Sequence, residues 1–151
     1  MADLVLVGAG GMAQMYIPIL NSMGVDFDVV CRADRSAVKF HEETGKKVIA
    51  GGVAKYLASV VTPLSAIVAV EAESLFSVTC DLLRCGVKKI LVEKPATLYR
   101  HELIELKELE RELEAKVFVA YNRRFFSSID KLHELVTEDG GISSLSFDFT
   151  E

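Results

Sequence analysis

The chain has 151 residues, half of them apolar, with 17 Lys and Arg against 22 Asp and Glu and a net charge of −5. That length sets one domain as the expectation. The apolar share suffices for a packed core, and the acidic balance argues against a general nucleic-acid binder. No apolar run approaches the roughly 18 residues of a membrane helix. Asp3 and the early glycines stand where a signal peptide needs a base. A soluble, cytoplasmic protein without membrane or nucleic-acid partners is expected. Cys31, Cys80 and Cys85 form an odd set without metal-ligand spacing and read as buried, reduced thiols; no metal is expected.

Strand and helix patterns alternate along the chain. Leu4 to Val7 is a short apolar run that stops at Gly8, as a buried parallel strand does. Residues 11 to 22 read as a helix with Met12, Met15, Tyr16, Ile19, Leu20 and Met23 near one face, and Pro18 is expected to disturb it. Phe27 to Cys31 is a second strand. A helix from Ala33 to Thr44 follows, with Asp34 or Ser36 as its start signal and Gly45 as its stop. Val48 and Ile49 form a third strand before Gly51-Gly52 and a brief helix through Tyr56 and Leu57.

Ala66 to Val70 is the most apolar strand, and Ser74 is expected to cap a helix running to Cys85 and ending at Gly86. Lys89 to Val92 is a fifth strand, followed by Glu93-Lys94-Pro95. A charged helix covers His101 to Ala115, with Leu103, Leu106, Leu109 and Leu113 as its buried stripe. Glu108 with Arg111, and Glu112 with Lys116, are spaced to pair on its wet side. Lys116 to Tyr121 is a sixth strand, and Ser127 or Ser128 opens a helix ending near Gly140-Gly141.

Strands separated by helices predict an α/β fold, a doubly wound parallel sheet of order 3-2-1-4-5-6. From Leu145 the chain changes habit: Leu145, Phe147 and Phe149 alternate with Ser146, Asp148 and Thr150. Such period-two alternation marks a half-buried strand that needs another sheet to cover it. Residues 1–141 are therefore expected to form the dinucleotide-binding domain, with residues 142–151 supplying the first strand of a second domain. The other option is an added edge strand.

Gly8-Ala9-Gly10-Gly11-Met12-Ala13 fits G-x-G-x-x-A directly after the first strand and at the opening of the first helix. Gly8 permits the sharp turn, Gly10 lacks a Cβ that would obstruct a pyrophosphate, and Ala13 lets helix and strand pack closely. Gly11 and Met12 supply N–H groups at the helix start, where the positive dipole end favours phosphate. At the end of the second strand stands Arg32, where an acid would accept from the 2′-hydroxyl of NAD. Arg32 and Arg35 suit a 2′-phosphate instead, which favours NADP; Asp34 nearby keeps NAD open.

Three motifs together resemble the glucose–fructose oxidoreductase, inositol dehydrogenase and MocA family (Gfo/Idh/MocA). They are the glycine turn, Glu93-Lys94-Pro95 after the fifth strand, and Asn122-Arg123-Arg124-Phe125 after the sixth. The resemblance implies an NAD(P)-dependent oxidoreductase acting on a CH–OH group of a sugar, polyol or sugar-nucleotide. It implies Lys94 as the catalytic residue contacting the reacting hydroxyl, Glu93 holding ribose hydroxyls, and Pro95 fixing the turn through a cis bond. Asn122 and Arg123 would line the nicotinamide end of the cleft.

Three departures stand in the chain, Arg32 in place of the family's acid being one. Val70-Glu71-Ala72-Glu73-Ser74-Leu75 replaces the family's Thr-Pro-Asn turn and following His, leaving Glu71 as the rim candidate. The Asp and His of the family's second domain have no counterpart, since His41, His101 and His133 fall in predicted helices. The chain thus reads as the amino-terminal portion of a longer, homo-oligomeric enzyme, or as a shortened relative, and is expected to be inactive alone. The alternative function is a non-catalytic dinucleotide-binding or sensing module that pairs with a partner through its last strand.

Overall fold

Six strands and six α-helices alternate through the computed structural model, which describes residues 2–144 and 146. The strands are β1 (Leu4–Val7), β2 (Phe27–Cys31), β3 (Val48–Ala50), β4 (Ser65–Val68), β5 (Lys89–Val92) and β6 (Lys116–Val119). The helices are α1 (Gly11–Ser22), α2 (Asp34–Thr44), α3 (Gly52–Leu57), α4 (Ala72–Arg84), α5 (Arg100–Glu112) and α6 (Ser127–Glu138). The sheet runs β3-β2-β1-β4-β5-β6 with every pair parallel, as the alternating pattern predicts. Contacts divide the chain into two compact units, Met1–Ala120 and Tyr121–Glu151.

Within the first unit, side-chain alternation along each strand builds two cores. Leu6, Val29 and Ile67 face the layer of Ala13, Ile17 and Leu20 from α1 and Phe40 from α2. Val5, Val7, Val30, Val68, Ile90 and Val92 face Tyr56 of α3, Leu75, Leu82 and Leu83 of α4, and Leu106 of α5. A strand covered on both faces is apolar along most of its length, hence the runs Leu4–Val7 in β1 and Ala66–Val68 in β4. Thr79, the fully buried polar residue of α4, donates its hydroxyl to the Leu75 carbonyl at 2.7 Å.

Several expectations are corrected. On α1 the buried face is Ala13, Ile17 and Leu20, while Met12, Met15, Ile19 and Met23 stand exposed. This helix is apolar around most of its circumference, so periodicity alone cannot choose the face that meets the sheet. Pro18 sits on the exposed side within an uninterrupted helix. Neither Asp34 nor Ser36 caps α2, because Ala33 is the extended residue before it; Gly45 closes the helix with φ +69°, as expected of a left-handed stop.

Ser74 likewise lies inside α4, whose extended entry residue is Glu71. On α5, Leu103 is exposed, leaving Leu106 fully buried and Leu109 and Leu113 partly so. The helix begins at Arg100, with the Glu102 carboxylate accepting from the Leu98 and Tyr99 N–H groups. Among the described residues neither predicted ion pair of α5 forms. Its Glu105 meets Arg84 of α4, and Glu110 accepts from the Val117 N–H. Strands β4 and β6 end at Val68 and Val119, two residues short of expectation. The predicted strand from Leu145 to Glu151 lies outside the described residues. No helix among the described residues is long and apolar enough to cross a membrane.

Candidate functional site

Because all six strands are parallel, the residues that follow them share one edge of the sheet. Gly8 follows β1, Arg32 follows β2, Ala69 follows β4 and Glu93 follows β5. Ligands of open α/β sheets bind outside this carboxyl edge, beside the strand where the winding direction reverses. Here that strand is β1, flanked by β2 and β4.

The turn after β1 contains glycines of two different kinds. Gly8 is buried with φ +131°, and a Cβ there would stand 2.1 Å from the Ala69 carbonyl oxygen. The fold itself requires this glycine. Its N–H donates to the Val30 carbonyl at 2.8 Å, and the Ala69 N–H donates to Val7, so the turn is tied to both neighbouring strands. Gly10 and Gly11 need no positive φ, and a Cβ on either would meet nothing within 4 Å. Their missing side chains leave open space above the start of α1.

Gly10 is the extended entry residue of α1 and carries no capping side chain. The first intrahelical bond runs from the Gln14 N–H to the Gly10 carbonyl. The N–H groups of Gly11, Met12 and Ala13 therefore have no acceptor among the described residues. With no acid in the first turn, the helix presents uncompensated positive character to that space. Ala13 is fully buried, which seats α1 close to the sheet. A bridging pyrophosphate fits both the space and the donors.

On the β2 side, Arg32 and Arg35 are exposed, and neither is ion-paired among the described residues. The Arg32 carbonyl accepts from the Gly51 N–H at 3.3 Å, which ties the β2 exit to the β3 exit. Cys31, buried at the end of β2, has a thiol pushed up mainly by burial, and its S–H donates to the Ala33 carbonyl at 3.3 Å. Cys80 is also buried and its thiol raised by burial, whereas Cys85 is exposed, correcting the expectation of three buried thiols.

On the β5 side, Glu93 to Ala96 forms a tight turn in which the Ala96 N–H donates to the Glu93 carbonyl at 2.9 Å. The Lys94–Pro95 bond is cis. Lys94 and Pro95 are exposed at the tip of the turn, while Glu93 is only 8 % exposed. The Glu93 Oε1 accepts from the Tyr16 hydroxyl of α1 at 2.6 Å. That phenol is pushed above the ordinary tyrosine range, first by burial and then by the carboxylate it serves. The sequence places Tyr16 only near one face of the helix, with the methionines and Ile19, and does not reveal this contact. Its only sequence signal is a polar tip on an otherwise apolar helix face.

Glu71 is exposed at the entry of α4, so it stands on the same edge after β4. Asn122 and Arg123 belong to the second unit, on a 3-10 turn spanning Asn122–Phe125 ahead of α6. Both are exposed there, and the neighbouring Arg124 guanidinium lies 5.4 Å from the Phe125 ring centre.

A doubly wound sheet of this order, with an open glycine ledge at its reversal strand, defines the dinucleotide-binding class of α/β proteins. The model of the Gfo/Idh/MocA oxidoreductase family, NAD-binding Rossmann fold, matches residues 3–121, and the chain belongs to that family. No curated protein sequence matches it. Among solved structures it is similar to UDP-N-acetylglucosamine 3-dehydrogenase GnnA from Acidithiobacillus ferrooxidans, with 19% identity and a TM-score of 0.73. It also resembles the WlbA dehydrogenase from Chromobacterium violaceum in complex with NADH and UDP-GlcNAcA, at 16% identity and a TM-score of 0.77. GenD2 from gentamicin A biosynthesis, in complex with NAD, gives 22% identity and a TM-score of 0.77. The matches cover 87%, 90% and 93% of this chain but only 41%, 39% and 40% of the three structures. At these identities the likeness establishes the shared fold.

Proposed function

We propose that the chain is the cofactor-binding part of an NAD(P)-dependent oxidoreductase acting on a CH–OH group of a sugar, polyol or sugar-nucleotide. The observation that carries this reading is the ledge at Gly10 and Gly11. Nothing in the fold demands glycine there, yet an added Cβ would enter the space faced by three unpaired helix N–H groups. Family membership over residues 3–121 supports the redox class. The sugar-nucleotide named with WlbA and the substrate named with GnnA support the substrate class.

When bound, the nicotinamide would supply hydride exchange with a hydroxyl-bearing carbon. The chain's own residues bind and orient. Gly8, Gly10, Gly11, Met12 and Ala13 form the phosphate cradle. Arg32, assisted by Arg35, meets a 2′-phosphate through its planar donor fork, favouring NADP; the NAD and NADH of the relatives keep NAD as the alternative. Glu93 accepts from ribose hydroxyls, Pro95 shapes the turn, and Glu71 offers a further acceptor at the rim. Lys94, exposed at the tip of the turn, is the proton donor or acceptor for the reacting oxygen. Asn122 and Arg123 are assigned by the family resemblance alone. Residues 142–151 would begin a second domain that completes the substrate site, so this chain by itself binds coenzyme without turnover.

Titration of the 151-residue chain with NADPH and NADH tests the reading. NADPH should bind more tightly, and Arg32→Ala should narrow the difference by about ten-fold, as loss of one charge-assisted contact implies. Equal affinities in the unaltered chain would remove Arg32 from phosphate reading. Binding of neither coenzyme would end the proposal.

A further inference from the structure

The contact between Tyr16 and Glu93 joins residues 77 positions apart and ties the helix of the phosphate ledge to the exit of β5. We infer that Tyr16 is a positioning residue. Its hydroxyl holds one oxygen of Glu93 and thereby aims the other at the nicotinamide-side ribose of a bound dinucleotide. The inference rests on the nucleotide reading above and extends it to a residue outside the glycine turn and the Glu93-Lys94-Pro95 motif.

The backbone of Glu93 is fixed from both directions. Its N–H donates to the Val68 carbonyl at 2.9 Å, and its carbonyl accepts from the Ala96 N–H at 2.9 Å. The side chain is then held by one further bond, the 2.6 Å contact from the Tyr16 hydroxyl to Oε1. The second oxygen, Oε2, has no partner among the described residues. No sealed side-chain oxygen or nitrogen among them lacks a partner, so Oε2 keeps access to the outside. The carboxylate of a residue only 8 % exposed, with one oxygen occupied and the other open, is an acceptor aimed in one direction.

Sheet order says which end of the ligand it meets. The pyrophosphate ledge is over β1, and Arg32 marks the adenosine side over β2. Strand β5 lies on the opposite side, two strands or about 10 Å from β1 at the usual strand spacing. A dinucleotide stretched across the edge brings its second ribose there. Tyr16 projects from the second turn of α1, so one helix both receives the phosphates at its N-terminus and orients the ribose acceptor.

The test separates positioning from simple packing. Tyr16→Phe keeps the ring and removes the donor. The full chain is titrated with the tighter binder of NADPH and NADH, and with the matching adenosine half, 2′-phospho-ADP or ADP. We expect the variant to lose about ten-fold in coenzyme affinity and less than about two-fold for the adenosine half. In a Glu93→Ala background, which removes the acceptor, the same change should cost nothing further. Unchanged coenzyme affinity, equal losses for both ligands, or full additivity with Glu93→Ala would each overturn the inference while leaving the nucleotide reading intact. An unaltered chain that bound neither ligand would overturn the nucleotide reading, and this inference with it.

Discussion

The exit of β1 and the exit of β5 present polar groups at the carboxyl edge of the sheet by opposite means. At β1 the side chains are absent, and the backbone N–H groups of α1 do the presenting. At β5 the backbone is tied down and side chains do it, with Glu93 braced by Tyr16 and Lys94 left free. The first arrangement suits a phosphate, which needs many donors and close approach. The second suits hydroxyl groups, which need directed acceptors and a mobile proton. Within the β1 turn the division repeats, since Gly8 answers to the fold and Gly10 to the open space.

Substitution at the two glycines should split that pair most sharply. Gly8→Ala forces a Cβ into the Ala69 carbonyl at a φ that L-residues rarely adopt. A stability loss of about 3 kcal/mol or more is expected in urea unfolding, or failure to fold. Gly10→Val should leave stability within about 1 kcal/mol, the ordinary difference between residues at a helix entry. It should nonetheless weaken coenzyme at least about 100-fold in titration, because a branched side chain fills the ledge. A Gly10→Val chain that bound normally would break the distinction.

Smaller effects sharpen it. Tyr56→Phe removes a 2.9 Å hydrogen bond to Asp28 that joins α3 to β2, and should cost about 1 kcal/mol. It should leave coenzyme affinity unchanged, unlike Tyr16→Phe. Both phenols are raised above their ordinary value, chiefly by burial and then by a carboxylate partner. The folded state therefore holds these protons where the unfolded chain releases them. Their contribution is complete below about pH 10 and is lost as pH rises beyond it. Unfolding midpoints measured between neutral and strongly alkaline pH should fall, with a shallower fall in Tyr56→Phe. Iodoacetamide at mildly alkaline pH should label Cys85 ahead of Cys31 and Cys80, whose thiols are buried and raised. Mass mapping of the labelled cysteine checks this.

What the sequence could disclose follows from the range of each interaction. Strands β1 and β5 are local apolar runs bounded by turn residues, so their limits are readable, as is the sheet order that the βα alternation imposes. The glycine turn and Glu93-Lys94-Pro95 are likewise contiguous. The buried face of α1 is different. Met12, Met15 and Ile19 are as apolar as Ile17 and Leu20, and only the approach of the helix to the sheet at Ala13 decides which set is covered. The brace from Tyr16 to Glu93 joins distant positions that no local pattern links. The entry of α4 is misjudged for a related reason. Ser74 is the better capping residue, but the chain leaving β4 has already turned helical at Ala72.

The position of β1 also bears on how the molecule can be made. Leu4 pairs with Phe27 along one margin of the strand and with Ser65 along the other. During synthesis the amino-terminal β-α-β half can assemble as soon as β3 has emerged, but the outer margin of β1 then stays unsatisfied until β4 leaves the ribosome. For that interval the nascent chain carries a bare, apolar strand margin, the kind of surface that invites mispairing with other chains. Translation slowed while the segment between Ala50 and Ser65 is leaving the ribosome would prolong the exposure, and aggregation should rise with it.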